Sequence, residues 1–156
     1  MANQTQRPVT GLECKSYYNA GTYASPTWTE LTRAINVSYG ITKDEADQRS
    51  RSSGWAKAKG VHKALEITIT YRKKQGTDTV FDFLQAACLA GTAVEFAILD
   101  GSSSSSGVQG VRAYCEIFGL EDTQDLASTE EVQFTIKPTY YEDSGTERDP
   151  EWYEIS

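Results

Sequence analysis

Acid–base chemistry near neutral pH falls most readily to histidine, and this chain has a single one, His62. It stands at the edge of a charged stretch and reads as a solvated strand-end residue rather than a general base. Five consecutive serines, Ser102 to Ser106, offer hydroxyls but no neighbouring base to activate them, so the DGSSSSSG segment reads as a flexible loop. Asp44, Glu45 and Asp47 cluster without the oxygen-ligand spacing of a calcium loop. Glu121, Asp122 and Asp125 read as loop carboxylates facing water. Cys14, Cys88 and Cys115 are far apart, odd in number and free of any CxxC pattern or histidine cluster, so buried reduced thiols are expected. The GVQG at 107–110 reads as a turn, and Asn3 and Asn36 match the glycosylation pattern only by chance. No nucleophile elbow, phosphate-binding glycine loop, dinucleotide fingerprint or HExxH occurs. The residues therefore predict no catalysis, no cofactor and no metal.

With chemistry set aside, the elements themselves become informative. In HKALEITITYRK, Leu65, Ile67, Ile69 and Tyr71 alternate with Glu66, Thr68, Thr70 and Arg72, the two-residue period of a strand with one dry and one wet face. A second clean case is EEVQFTIKPTY, where Val132, Phe134 and Ile136 alternate with Glu131, Gln133, Thr135 and Lys137. Between them the period switches. Val80, Phe81, Leu84, Ala87 and Cys88 fall at helical spacing, with Asp78 ahead and Gly91 behind as cap residues, predicting a helix over 77–90. Further strands are expected at 14–19, through Ile35, Val37, Tyr39 and Ile41, at 93–99, where AVEFAIL reads as buried on both faces, and at 110–119. Residues 29–31 carry no decisive period, and 120–129 reads as an acidic connection.

The 156 residues suffice for one domain with a real core. Three segments fall outside it: an N-terminal arm at 1–11, a polar loop at 43–60 between two strand patterns, and an acidic tail at 141–156 that would fray or dock on a neighbour. The loop is unusually long and carries Trp55, a residue type that anchors interfaces. A net charge of −7 argues against binding nucleic acid through phosphate neutralisation. The polar N-terminus has no signal-peptide core and no apolar run is long enough to span a bilayer, so synthesis in the cytoplasm and no membrane partner are expected.

Taken in order, the short first strand, the strand entering a long polar loop, the returning strand, the DTVFDFLQAACLAG helix, the apolar strand and two closing strands resemble the tail tube protein of long-tailed bacteriophages. That family is in turn related to the tube proteins of type VI secretion and contractile injection systems. The resemblance covers about 10–140 and rests on layout. It implies a mainly β fold, a β-sandwich or half-barrel of antiparallel strands flanked by one α-helix, whose copies form stacked rings, usually hexamers, that conduct DNA during ejection from a siphovirus-type virion tail. Partners would be other copies, the tape measure and terminator proteins, and DNA in transit without sequence-specific binding. Glu66, Thr68, Thr70, Glu131, Gln133 and Thr135 would face the lumen, and Asp44, Arg49, Arg51 and Trp55 would lie between subunits. Alternatives are a head–tail connector or tail-terminator subunit or, in a different class, a small β-barrel ligand-binding protein. The last predicts a monomer with an apolar pocket.

Overall fold

The computed structural model describes residues 8–156, so most of the 1–11 arm lies outside the described residues. The strands are β1 (Lys15–Asn19), β2 (Trp28–Glu30), β3 (Ala34–Asp47), β4 (Ala58–Arg72), β5 (Val94–Leu99), β6 (Gln109–Thr123), β7 (Glu131–Pro138), β8 (Glu142–Asp143), β9 (Thr146–Glu147) and β10 (Glu151–Glu154), with one helix, α1 (Thr79–Ala90), between β4 and β5. The expected mainly β architecture with one flanking helix is the one observed. Eight strands form one sheet in the order β2-β1-β5-β6-β7-β4-β3, with β10 pairing β6, and β8 and β9 form a separate small hairpin. Every pairing is antiparallel.

Alternation decides which face is dry. Ile67, Ile69 and Tyr71 of β4 stand opposite Ile136, Phe134 and Val132 of β7, and all six are essentially inaccessible. They belong to one cluster that also takes in Tyr18 of β1, Phe96 and Ile98 of β5, and Phe81, Leu84 and Ala87 of α1. Seven strands spaced about 4.8 Å apart would spread to roughly 29 Å if flat, too wide for one three-turn helix to cover. The sheet therefore curls around its own core, and residues of β1, β3 and β5 together line a cleft of about 1020 Å³ between its two ends.

The helix is held by the caps its sequence announces. Asp78 accepts from the Phe81 N–H at 3.1 Å and from the Lys74 N–H at 3.0 Å. Gly91 follows in the left-handed region at φ 69, where its N–H reaches the Ala87 carbonyl. Gly110 is required for a different reason: a Cβ there would run into the backbone carbonyl of Ile98 on β5.

Four expectations need correction. Residues 43–60 are mostly strand. Lys43 pairs with Lys63 and Asp47 with Ala58, so β3 and β4 make one long hairpin whose connection is only 48–57. Both faces of this arm are exposed, so it shows no apolar alternation, and the cross-strand ladder rather than burial shapes it. Glu121 and Asp122 likewise lie in β6, opposite Gln133 and Val132, after a bulge at Phe118 that interrupts the sequence period. The 141–156 tail neither frays nor waits for a neighbour, because β10 pairs β6 from Glu151↔Arg112 to Glu154↔Gln109. It takes up the β6 edge that β7 leaves after Pro138 pairs with Cys115. Finally, Cys14 is exposed, Cys88 half-buried and only Cys115 fully buried, where burial pushes its thiol up to about 12.

Candidate functional site

The six residues picked from alternation lie together. Thr68 stands opposite Thr135, Thr70 opposite Gln133, and Arg72 opposite Glu131, all on the face of the sheet turned away from α1. Register extends this surface across four strands, with Asn36, Ser38 and Gly40 of β3 beside Thr70, Thr68 and Glu66 of β4, and with Gly119, Glu121 and Thr123 of β6 beside Thr135, Gln133 and Glu131 of β7. Hydroxyls, amides and glycines dominate. Arg72 is paired with Glu131 at 3.5 Å, leaving Glu66, Glu121 and, at the end of β7, Lys137 as charges with no ion pair among the described residues. Such a surface is fully satisfied by water and offers little to an apolar ligand or to a phosphate chain.

This four-stranded stretch has two open edges. Beyond Pro138 and Val94, which pair with Cys115, the β6 segment 117–123 is bonded, among the described residues, only to β7, and β3 only to β4. Open backbone edges are templates for another strand. The arm extends past the end of β7, since β7 meets β4 only from Ile67 onward. Of the four residues expected between subunits, Asp44 falls at a register irregularity in β3 and Arg49 is tied to Asp47 by an ion pair of 2.7 Å. Arg51 is exposed, and Trp55 is 80% exposed at the arm's tip.

The sequence reading missed a second polar centre. Glu95 of β5 and Arg112 of β6 form a buried ion pair at 2.8 Å, and Asn19 donates to the same carboxylate oxygen at 3.2 Å. The guanidinium also donates to the Tyr23 carbonyl at 2.7 Å and lies over the rings of Tyr23, Trp28 and Tyr153. Burial pushes the Glu95 carboxyl above its ordinary range while Arg112 draws it back. A signal existed: Glu95 interrupts the apolar run AVEFAIL, and a charge in a strand buried on both faces requires a partner. The cluster seats the C-terminal segment, where Tyr23 donates to Glu151 at 2.7 Å, Trp152 donates to Gln109 at 2.9 Å, and the Gly107 N–H reaches the Ile155 carbonyl.

None of this geometry assembles catalytic machinery. His62 lies within β4, exposed, and the serine loop holds itself through Ser102 to Ser104 contacts and a Ser103 N–H donated to the Tyr17 hydroxyl oxygen. Among the described residues no group of three or more His, Cys, Asp or Glu side chains is placed to hold a metal. Among the described residues no helix is long and apolar enough to cross a membrane. The cleft between the sheet ends mixes Lys15 and Glu30, ion-paired at 3.2 Å, with Ile35, Val37 and Tyr39, unlike the apolar pocket of a carrier.

No protein-family model matches this sequence, and no curated protein matches it. Solved structures do. The SPP1 tail tube is similar at a TM-score of 0.69 and 14% identity, over 83% of this chain and 75% of that one. A chain in the virion of a gene transfer agent particle is similar at 0.62 and 11% identity, over 83% and 93%. A chain of the extended sheath–tube complex of the PVC extracellular contractile injection system is similar at 0.63 and 11% identity, over 96% and 94%. The fold is therefore the one these tail and injection assemblies contain.

Proposed function

We propose that this chain is a tail tube subunit, a structural protein and not an enzyme. Copies join edge to edge into rings, and rings stack into the tube of a virion tail that conducts DNA during ejection. The observation that carries this reading is the four-stranded sheet β6-β7-β4-β3, which has an uninterrupted polar face on one side, a helix-covered core on the other and an open backbone edge at each end. Joining β3 of one copy to the β6 segment of the next would continue the sheet, and cyclic repetition would remove every edge. Six-fold rings follow the related assemblies, one of which is a gene transfer agent tail refined with C6 symmetry. The polar face, with Glu66, Thr68, Thr70, Glu131, Gln133 and Thr135, would then line the channel. A wall of hydroxyls and carboxylates gives the DNA backbone few cations to grip, which favours sliding. Asp44, Arg49, Arg51 and Trp55 on the arm would lie between copies, and the tube ends would meet the tape measure and terminator proteins. A siphovirus-type tail is the setting proposed, and the whole chain is taken as one domain.

Electron microscopy of the purified protein over a concentration series, with sedimentation velocity in parallel, tests the reading. Rings or tubes with a central channel are expected. A species that remains monomeric at the highest attainable concentration overturns it.

A further inference from the structure

A cavity of about 350 Å³ opens between the C-terminal half of α1 and the start of β5. The helix contributes Ala86, Ala87 and Ala90 to its wall. Tyr114 of β6 and Tyr141, on the segment after β7, contribute a pair of rings stacked at 3.7 Å. Glu95 is also among the lining residues, and no Lys, Arg or His is.

The Glu95 carboxylate is only half used. Its Oε1 accepts from Arg112 at 2.8 Å and from Asn19 at 3.2 Å. Its Oε2 is buried and accepts no hydrogen bond among the described residues, on a side chain 1% exposed. The Tyr114 hydroxyl steadies the carboxylate electrostatically but stands outside hydrogen-bond geometry to Oε2. A buried acceptor left in this state is costly unless something donates to it. The helix adds to the demand for a cation. Its last turn carries the negative end of the helix dipole and contains no basic residue. Beyond it, a Cβ on Gly91 would come within 3.3 Å of Glu116 Oε1, so a second carboxylate borders the helix exit.

We propose that this cavity binds a primary alkylammonium group, which donates an N–H to Glu95 Oε2 and lays its methylenes against the alanine wall and the tyrosine rings. The donor set selects this class. A divalent metal needs several oxygen ligands where one is free, and a guanidinium fork needs both carboxylate oxygens, of which Arg112 already holds one. A quaternary ammonium has no N–H to give. Oε2 is nearly sealed from water, so entry requires a ring to swing aside. Tyr141, half-buried and outside any strand, is the ring able to do so. The same chemistry is presented by a free aliphatic amine and by a lysine side chain of a partner protein. The inference does not depend on the ring reading.

Calorimetric titration of the full-length protein with n-butylammonium chloride at constant ionic strength tests it. Saturable binding at one site per chain is expected, with tetramethylammonium, equal in charge but without an N–H, weaker by about tenfold or more. Ala90→Leu, at an exposed wall position, should weaken butylammonium by about tenfold or more while leaving the melting curve unchanged, because it fills the cavity without entering the core. Glu95→Gln should act likewise where circular dichroism shows it folded, and Ala90→Leu keeps the test decisive where it is not. Butanediamine and a lysine capped at both ends distinguish the sources. Equal binding of the two supports a partner's lysine, and preference for the diamine supports a free amine. Butylammonium that binds no better than tetramethylammonium, or that is indifferent to Ala90→Leu, is held only by the chain's general negative charge and overturns the inference. Heats no larger than dilution leave Oε2 to a bound water and overturn it as well.

Discussion

Arg112 Nε lies 2.8 Å from Glu95 Oε1, with the two side chains 7% and 1% exposed, the most thoroughly dehydrated ion pair among the described residues. It spans β5 and β6 under the C-terminal strand and ties together Asn19, Tyr23, Trp28 and Tyr153. Removing one partner strands the other charge in an apolar setting. Glu95→Ala is expected to cost about 3–5 kcal/mol of stability, measured by urea denaturation. A loss below about 1 kcal/mol would mean that Arg112 finds solvent on its own.

Acid should loosen the start of the helix. The Tyr71 hydroxyl donates to both carboxylate oxygens of Asp78, at 2.9 and 3.0 Å. Burial alone would raise the Asp78 carboxyl, but the Lys74 and Phe81 N–H groups and the Tyr71 hydroxyl outweigh it and hold it below the usual 3.8. A depressed folded-state value stabilises fully above the unfolded value and is lost as pH falls through the folded one. Asp78→Ala is therefore expected to cost about 1–3 kcal/mol near neutral pH. The gap from wild type should narrow below pH 3.8. Thermal melts across that range check it, and a gap independent of pH would rule out the ionised cap.

The polar face can be charged without disturbing the core. Thr68 and Thr135 stand opposite each other and are half-buried on the face away from α1. Thr68→Lys with Thr135→Lys places like charges directly opposite, which destabilises by roughly 0.2–1 kcal/mol. The larger expected effect is functional: assembled tubes should retain DNA in a salt-dependent manner where wild-type tubes do not. Filter binding across a salt series measures this. Equal retention by both would show that the face does not line the channel.

Trp55 separates assembly from folding. At 80% exposure in the described chain it contributes little to the core, so Trp55→Ala should leave the melting curve within about 0.5 kcal/mol of wild type. If it anchors a neighbouring copy, association should weaken by about 1–3 kcal/mol, read as a raised critical concentration for tube formation. An unfolded variant would place the indole in the core after all.

What could be read in advance was local. Leu65 to Tyr71 and Val132 to Ile136 announce a dry face because burying one side of a strand forces a two-residue period, and that period is visible in any single segment. Asp78 and Gly91 mark the helix for a similar reason, since its unsatisfied end groups and its left-handed exit are met by the adjacent residues. The wet face at Thr68 and Thr135 follows as the complement of the dry one.

The arm, the extended β6 and the docked tail required partners distant in the chain. Lys43 and Lys63 form a strand pair although neither face there is buried, and backbone hydrogen bonding leaves no mark on side-chain polarity. Glu121 is strand rather than loop because Gln133 lies opposite it, and the bulge at Phe118 hides the period that would have indicated this. Glu95 is visible as an odd charge in an apolar run, but its partner seventeen residues on is not. Sequence by itself thus determined which faces are wet and which are dry. Only the tertiary structure decided which edges stay open and that the arm tip and the β6–β7 connection lie at opposite ends of the same strands, because register and strand order are set by pairings between segments and not within them.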